Sequence, residues 1–165
     1  MRIIKLGLLS FFFLFLLVTL ISLLIPSRVR ISKAINLPGG SDAQVWKLVR
    51  DTGRWSAWLP MLRPGVDNRH IDPIKLVGEE RTDSTTVMQW QQGNRDPLAN
   101  MFQIHHPDAD SLTLQWYIDF QLGWTPWKKF GSLFLENTYG TMMQEGLENM
   151  KAEIERQPAD TAGRK

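Results

Sequence analysis

The sequence contains no cysteine. This absence excludes disulfide bonds, thiolate metal ligands and cysteine nucleophiles, and it leaves the redox compartment open. The sequence also lacks G-x-S-x-G, glycine-rich phosphate loops and H-E-x-x-H, so it shows none of the common nucleophile, nucleotide or zinc-protease motifs. We therefore predict neither a cofactor nor a metal site.

Net charge is also absent from most of the chain. There are 19 Lys and Arg against 17 Asp and Glu, and two of the cationic residues, Arg2 and Lys5, precede the N-terminal apolar run. The rest of the chain is therefore neutral. A neutral domain offers no broad positive surface to a phosphate backbone, so we expect no nucleic-acid partner.

The N-terminal run, residues 6–25, carries no charged side chain. As a helix it would reach about 30 Å, the thickness of the hydrocarbon core of a bilayer. A secretory signal has a shorter apolar centre and a small-x-small exit, and neither is found here. Because no cysteine follows the run, a lipoprotein is excluded. We predict residues 1–27 to be an uncleaved membrane anchor.

The orientation of this anchor is decided by a narrow margin of charge. Arg2 and Lys5 lie on one side, and Arg28, Arg30 and Lys33 lie on the other, so the positive-inside rule nearly ties. We expect a single-pass protein of the inner or cell membrane, with its domain on the extracytoplasmic side.

Alternation of apolar and polar residues predicts a β-sheet. Residues 29–37 alternate, and residues 111–122 do so most clearly. Further strands are predicted at 66–71, 74–80, 84–92 and 98–106. Turn residues at 93–97 and 107–110 separate the later strands, which indicates an antiparallel meander with one covered face.

Helix signals lie on both sides of the meander. Ser41 and Gln44 form a capping box, which predicts a short helix, and a second helical turn carries Trp55 and Trp58. Thr125-Pro126 predicts the start of a long helix, because proline suits the first helical position. The apolar stripe of this helix consists of Tyr139, Met143, Leu147, Met150 and Ile154.

Two glycines interrupt the predicted long helix. Gly140 and Gly146 each cost about 1 kcal/mol relative to alanine, so a gain from the missing side chain is expected. Space beneath the helix is one candidate. Gln157-Pro158 ends the helix, and residues 157–165 are predicted to be a disordered tail.

Three groups of residues resemble a known family. They are Val29, Ser32, Ile35, Asn36 and Pro38 in the first strand, Val45, Trp46, Asp51, Trp55, Trp58 and Pro60 around the short helices, and Gly146, Leu147, Met150 and Lys151 in the last helix. These resemble the SRPBCC superfamily, also described as START-like or polyketide cyclase/dehydrase-like, and in particular bacterial members that begin with a membrane helix.

The resemblance implies an α+β helix-grip fold over residues 28–156. In this fold a curved antiparallel sheet wraps around a long C-terminal helix, and here a single transmembrane helix would precede it. Two features depart from the family pattern. Residues 38–42 lengthen a loop, and Lys33 stands at an inward position where relatives carry an aliphatic residue, so its amine needs a carboxylate or water.

Few residues suggest catalysis. His105 and His106 are adjacent in a strand and point to opposite faces, so they cannot readily share a metal ion. His106 is expected to point inward, and it is a weak acid-base candidate together with Lys33 and with Asp119, which is expected to point outward. Acidic residues Glu79, Glu80 and Asp83 are predicted to form a solvated hairpin. No sequence motif supports a catalytic role for any of these residues, so we predict no catalytic residue beyond the weak candidates.

Aromatic residues are numerous, with seven Trp that all follow the N-terminal run. They can form a compact core, or they can line a cavity between the curved sheet and the helix. Under the second interpretation, the predicted cavity residues are Trp55, Trp58, Met88, Trp90, Phe102, Ile104, Trp116, Ile118, Phe120, Tyr139, Met143 and Leu147.

Three functions follow from these alternatives. The first is a membrane-anchored binding protein for a small apolar ligand, either lipid-like or isoprenoid-like. The second is a cyclase- or dehydratase-like enzyme of the superfamily. The third is a closed structural domain that binds another protein, unknown in kind, through exposed residues such as Tyr117. The first depends on unfilled apolar volume between the sheet and the last helix.

Overall fold

A computed structural model describes residues 2–63, 72–108 and 111–156. Its helices are α1 (Arg2–Leu23), α2 (Asp42–Arg50), α3 (Trp55–Trp58), α4 (Pro126–Gly131) and α5 (Thr141–Arg156). Its strands are β1 (Arg28–Pro38), β2 (Ile74–Arg81), β3 (Thr85–Gln92), β4 (Leu98–Asp108) and β5 (Ser111–Gln121). The strand predicted at 66–71 and the predicted tail lie outside the described residues.

The five strands form one antiparallel sheet in the order β1-β5-β4-β3-β2. Strands β2 to β5 are the predicted meander, and β1 pairs with β5 along its whole length, from Arg28 opposite Gln121 to Pro38 opposite Ser111. The α+β helix-grip fold is confirmed.

One face of the sheet is covered, as the alternation predicts. Leu112, Leu114 and Trp116 on β5 are buried, whereas Gln115 and Asp119 on the other face are partly or fully exposed. Tyr117 is the exception on the outer face. It was expected to be exposed, but it is only 8% exposed, because Arg30 lies over its ring and its hydroxyl donates to Gln103.

The predicted capping box at the start of α2 is confirmed. The Ser41 hydroxyl accepts from the Gln44 backbone amide, and the Gln44 side chain accepts from the Ser41 amide. At the other end of α2, the indole N–H groups of Trp55 and Trp58 donate to the carbonyls of Val49 and Leu48 at 2.8 and 3.0 Å. These bonds satisfy carbonyls that a helix end leaves without partners, and they fix α3 against α2.

The predicted long C-terminal helix is present, but it is not regular from its start. After α4 comes a 3₁₀ turn at Ser132–Phe134 and a π turn at Glu136–Gly140, and only then α5. The π turn places the Glu136 carboxylate 2.7 Å from the amine of Lys33. A Cβ at Gly140 would lie 2.7 Å from that carboxylate, so the missing side chain leaves room for the ion pair.

The apolar stripe of α5 packs on the covered face of the sheet. Met143, Leu147 and Met150 are fully buried. Gly146 lies so close to the core that an added Cβ would be 3.3 Å from the Trp116 ring and 3.6 Å from the Trp58 ring. The volume beneath Gly146 is therefore occupied by indole rings, and the glycine permits close approach of helix and sheet.

Candidate ligand pocket

The core has a densely packed half around three rings, called here the packed half. Trp58, Phe102 and Trp116 are fully buried, and their ring centroids lie 5.1 to 6.1 Å from one another. These distances are those of rings in direct contact. This half of the core has no room for a ligand.

The other half is open at the end of the sheet where β1, β2 and β4 begin and where β3 and β5 end, called here the pocket end. A pocket of about 160 Å³ lies there. It is bounded by β-strand residues, by the loop after β3 and by the π turn and start of α5. The lining residues are Met61, Ile74, Trp90, Gln92, Arg95, Asp96, Leu98, Asn100, Ile118, Phe120, Tyr139 and Met142.

Two buried polar side chains belong to this pocket. Asn100 is fully buried, and its carbonyl accepts from the Trp116 indole N–H at 3.1 Å while its amide donates to the Leu98 carbonyl at 3.1 Å. The Trp90 indole N–H is also buried, and it has no hydrogen-bond partner within the described part of the chain. An unpaired buried donor costs about 1–3 kcal/mol.

The mouth of the pocket carries both signs of charge. Arg95 and Asp96 are exposed and come from the turn between β3 and β4. The other lining residues are mostly apolar, and polar groups come from Trp90, Gln92, Asn100 and Tyr139. The arrangement therefore suits a ligand with an apolar end inside and a polar or charged end at the mouth.

Residues 28–155 match the family described as Polyketide cyclase / dehydrase and lipid transport. The chain belongs to this family. The resemblance to the SRPBCC superfamily is thereby confirmed, and membership supports a ligand-binding domain. None of the curated proteins matches the chain.

Solved structures share the fold at low sequence identity. A START superfamily protein from Mycobacterium smegmatis is 16% identical with a TM-score of 0.51, covering 77% of this chain and 97% of its own. The Zhui aromatase/cyclase from Streptomyces sp. R1128 is 13% identical with a TM-score of 0.51, covering 83% and 99%. A hypothetical protein from Helicobacter pylori is 11% identical with a TM-score of 0.52, covering 76% and 88%.

Four of the twelve predicted cavity residues line the pocket. Trp90, Ile118, Phe120 and Tyr139 line it. The other eight lie in the core cluster without lining it: Trp55, Trp58, Met88, Phe102, Ile104, Trp116, Met143 and Leu147.

Sequence reasoning missed most of the remaining lining residues. A signal was available for Asn100, because period two places it on the same face of β4 as Phe102 and Ile104. No signal was available for Met61 or for the turn residues Arg95 and Asp96, since alternation does not say how a loop folds back over a sheet.

The weak catalytic candidates lie away from the pocket. His106 was expected to point inward, but its side chain is 53% exposed and its Nε2 lies 2.9 Å from Asp42 at the opposite end of the sheet. The reason is that β4 continues past the covered face, and pairing with β5 is irregular after His105. Lys33 is paired with Glu136, as its inward position requires.

Asp119 points outward, as expected. It accepts two hydrogen bonds from Arg30, at 2.6 and 2.7 Å, and these hold the pKa of its carboxyl below the ordinary value. Glu79 in the predicted acidic hairpin is likewise paired, with Arg81. Among the described residues no group of three or more His, Asp or Glu is placed to hold a metal ion.

Proposed function

We propose that this protein binds one small, mostly apolar ligand at the pocket end, and that α1 anchors it in the membrane from which the ligand comes. The observation that carries this proposal is the open, mostly apolar pocket. The pocket remains open although the neighbouring half of the same core is closely packed.

The volume limits what enters. A cavity of about 150 Å³ is enough for benzene, whereas sites for drug-sized molecules measure roughly 300–1,000 Å³. At about 160 Å³ the pocket accommodates one ring or a short branched chain. A lipid-like or isoprenoid-like ligand would insert one end and leave the rest at the mouth, beside Arg95 and Asp96.

The position of the pocket supports a membrane source. Helix α1 ends just before β1 begins, and β1 begins at the pocket end of the sheet. Helix Ile3–Leu23 is long and apolar enough to cross a bilayer. With α1 in a membrane, the pocket would lie at the membrane side of the domain, where an apolar ligand needs little travel through water.

Catalysis is the second candidate, since the family description includes cyclases and dehydrases. No observation at this pocket favours it. His106, Lys33 and Asp119 do not line the pocket. Of the polar residues that do, Trp90 and Asn100 are poor acid-base groups, Asp96 is exposed at the mouth, and Tyr139 packs its ring against Phe120. The proposal is therefore binding without turnover.

The test compares molecules that accompany the full-length protein when it is extracted with its surrounding lipid in a styrene–maleic acid copolymer. Variant Ile118→Phe fills the pocket, and Val77→Phe is the matched control, because Val77 is an exposed strand residue that does not line it. We expect mass spectrometry to find a small apolar molecule with the parent and with Val77→Phe, and not with Ile118→Phe. Identical extracts from all three would favour a closed structural domain and contradict the proposal.

A further inference from the structure

Exposed large hydrophobic side chains are concentrated in one segment of the domain. Apart from α1 and the residue after it, the described residues include five, and four of them lie at residues 124–134, called here the 124–134 segment. Trp124, Trp127, Leu133 and Phe134 are 73%, 63%, 64% and 71% exposed. Such a cluster, with two Trp, is unusual for a surface that faces only water.

This segment is attached to the end of α1. Helix α4 contacts α1, and the covered positions of α1 are Val18, Thr19 and Ser22, on one face of its last two turns. The amine of Lys129, which is almost fully buried, donates to the Ile25 carbonyl at 2.9 Å. The two helices are thus held side by side, at a depth where α1 still has apolar residues.

The contact between α4 and α1 sets the depth of α4 in a bilayer. If α1 lies in a bilayer, its last two turns lie near one edge of the hydrocarbon layer, and α4 beside them lies at the same level. Trp127 and Lys129 are two residues apart on α4 and therefore point to nearly opposite sides of it, and Phe134 ends the 3₁₀ turn that follows. Indole rings favour the interface between headgroups and chains, and a lysine such as the exposed Lys128 can reach lipid phosphates.

We propose that the 124–134 segment is a second membrane contact, embedded in the interfacial layer of the bilayer that α1 enters. This proposal rests on the membrane role of α1 in the proposed function. The bilayer is favoured over a second copy of the chain because the segment contacts α1 through α4, and the exposed side chains of α1 are mostly apolar. The 124–134 segment is also linked to the pocket, because the π turn that follows it in the chain carries the lining residue Tyr139.

The absence of native cysteine allows a direct test with single labels. Trp127→Cys and Phe134→Cys report on the segment, and each keeps the other three exposed side chains. Leu14→Cys reports on α1, and His105→Cys is the water-exposed control at the opposite end of the sheet. Each full-length variant is labelled with an environment-sensitive fluorophore and placed in vesicles of phosphatidylcholine and phosphatidylglycerol. Quenching is then measured with iodide in water and with nitroxide attached to lipid.

We expect labels at 127 and 134 to be quenched by the lipid nitroxide and to show several-fold less iodide quenching than the label at 105. If the label at 14 contacts lipid while both segment labels are open to iodide, this inference is overturned. The proposal that α1 is a membrane anchor would then still hold. Segment labels protected from iodide without lipid quenching would indicate a second copy and would also overturn it. A label at 14 that is open to iodide would overturn the anchor and the inference together.

Discussion

The packed half and the pocket end of the core are built by the same strands and differ in how closely the helices cover them. Strand β5 gives Leu114 and Trp116 to the packed half and Ile118 and Phe120 to the pocket. Over Trp116, helix α5 approaches to contact distance at Gly146. Over Phe120 the cover is the π turn with Tyr139, and both of these residues line the pocket. The pocket therefore lies where the π turn, and not the close approach of α5 at Gly146, covers the sheet.

The largest expected effect comes from removing a ring in the packed half. Phe102→Ala leaves a void among Trp58, Trp90 and Trp116, and we expect a loss of about 3–5 kcal/mol in the free energy of unfolding. Phe120→Ala, beside the pocket and partly exposed, should cost only about 1–2 kcal/mol because less buried area is lost. Urea unfolding of the full-length protein in mild detergent measures both, and equal losses would abolish the contrast between the halves.

Enlarging a side chain should also lower stability more in the packed half than at the pocket. Leu114 and Ile118 lie on one face of β5, one in the packed half and one at the pocket. Leu114→Phe has no free volume and should cost about 1–3 kcal/mol. Ile118→Phe can extend into the pocket and should cost less than about 1 kcal/mol. Thermal unfolding compares them, and a larger loss for Ile118→Phe would show that the pocket is not free volume.

Two glycines test the closeness of the helix. Gly146→Ala gains about 1 kcal/mol of helix propensity but pushes against the Trp116 ring, and in a packed core we expect the contact to win, with a net loss of about 1 kcal/mol. Gly131→Ala, which meets nothing within 4 Å, should raise stability by about 0.5–1 kcal/mol. The same unfolding assay reads both, and a stabilising Gly146→Ala would mean that α5 does not lie against the indoles.

The smallest effect concerns the outer face of the sheet, away from both halves. Arg30 lowers the pKa of Asp119, so their pairing contributes stability above the ordinary pKa of the carboxyl, and that contribution is lost as the pH falls through the lowered pKa. Because both side chains are about half exposed, we expect at most about 1 kcal/mol. Stability measured from pH 7 to pH 3 should depend less on pH in Arg30→Met than in the parent, and an unchanged dependence would contradict the pairing.

Local sequence was sufficient for most of the helices and strands and insufficient for the pocket. Alternation predicted β5, and the Ser41 and Gln44 pair predicted the start of α2, since both signals lie within a few residues. The π turn was not predicted, because the pair it accommodates joins Lys33 and Glu136, far apart in the chain. The alternation along a strand shows which side chains face inward. Whether those side chains touch the helices depends on the distance between helices and sheet, which is a tertiary property.

The contrast between the halves is tested most directly with methionine methyl groups. Met61 and Met142 line the pocket, whereas Met88, Met143 and Met150 are fully buried and do not line it. The full-length protein, labelled with ¹³C in its methionine methyls, is titrated with benzene in nanodiscs and followed by NMR, with Ile118→Phe as control. We expect the Met61 and Met142 signals to shift the most in the parent and to stay fixed in the control. Equal shifts at these five of the seven methionines, or none in the parent, would contradict the presence of a ligand pocket.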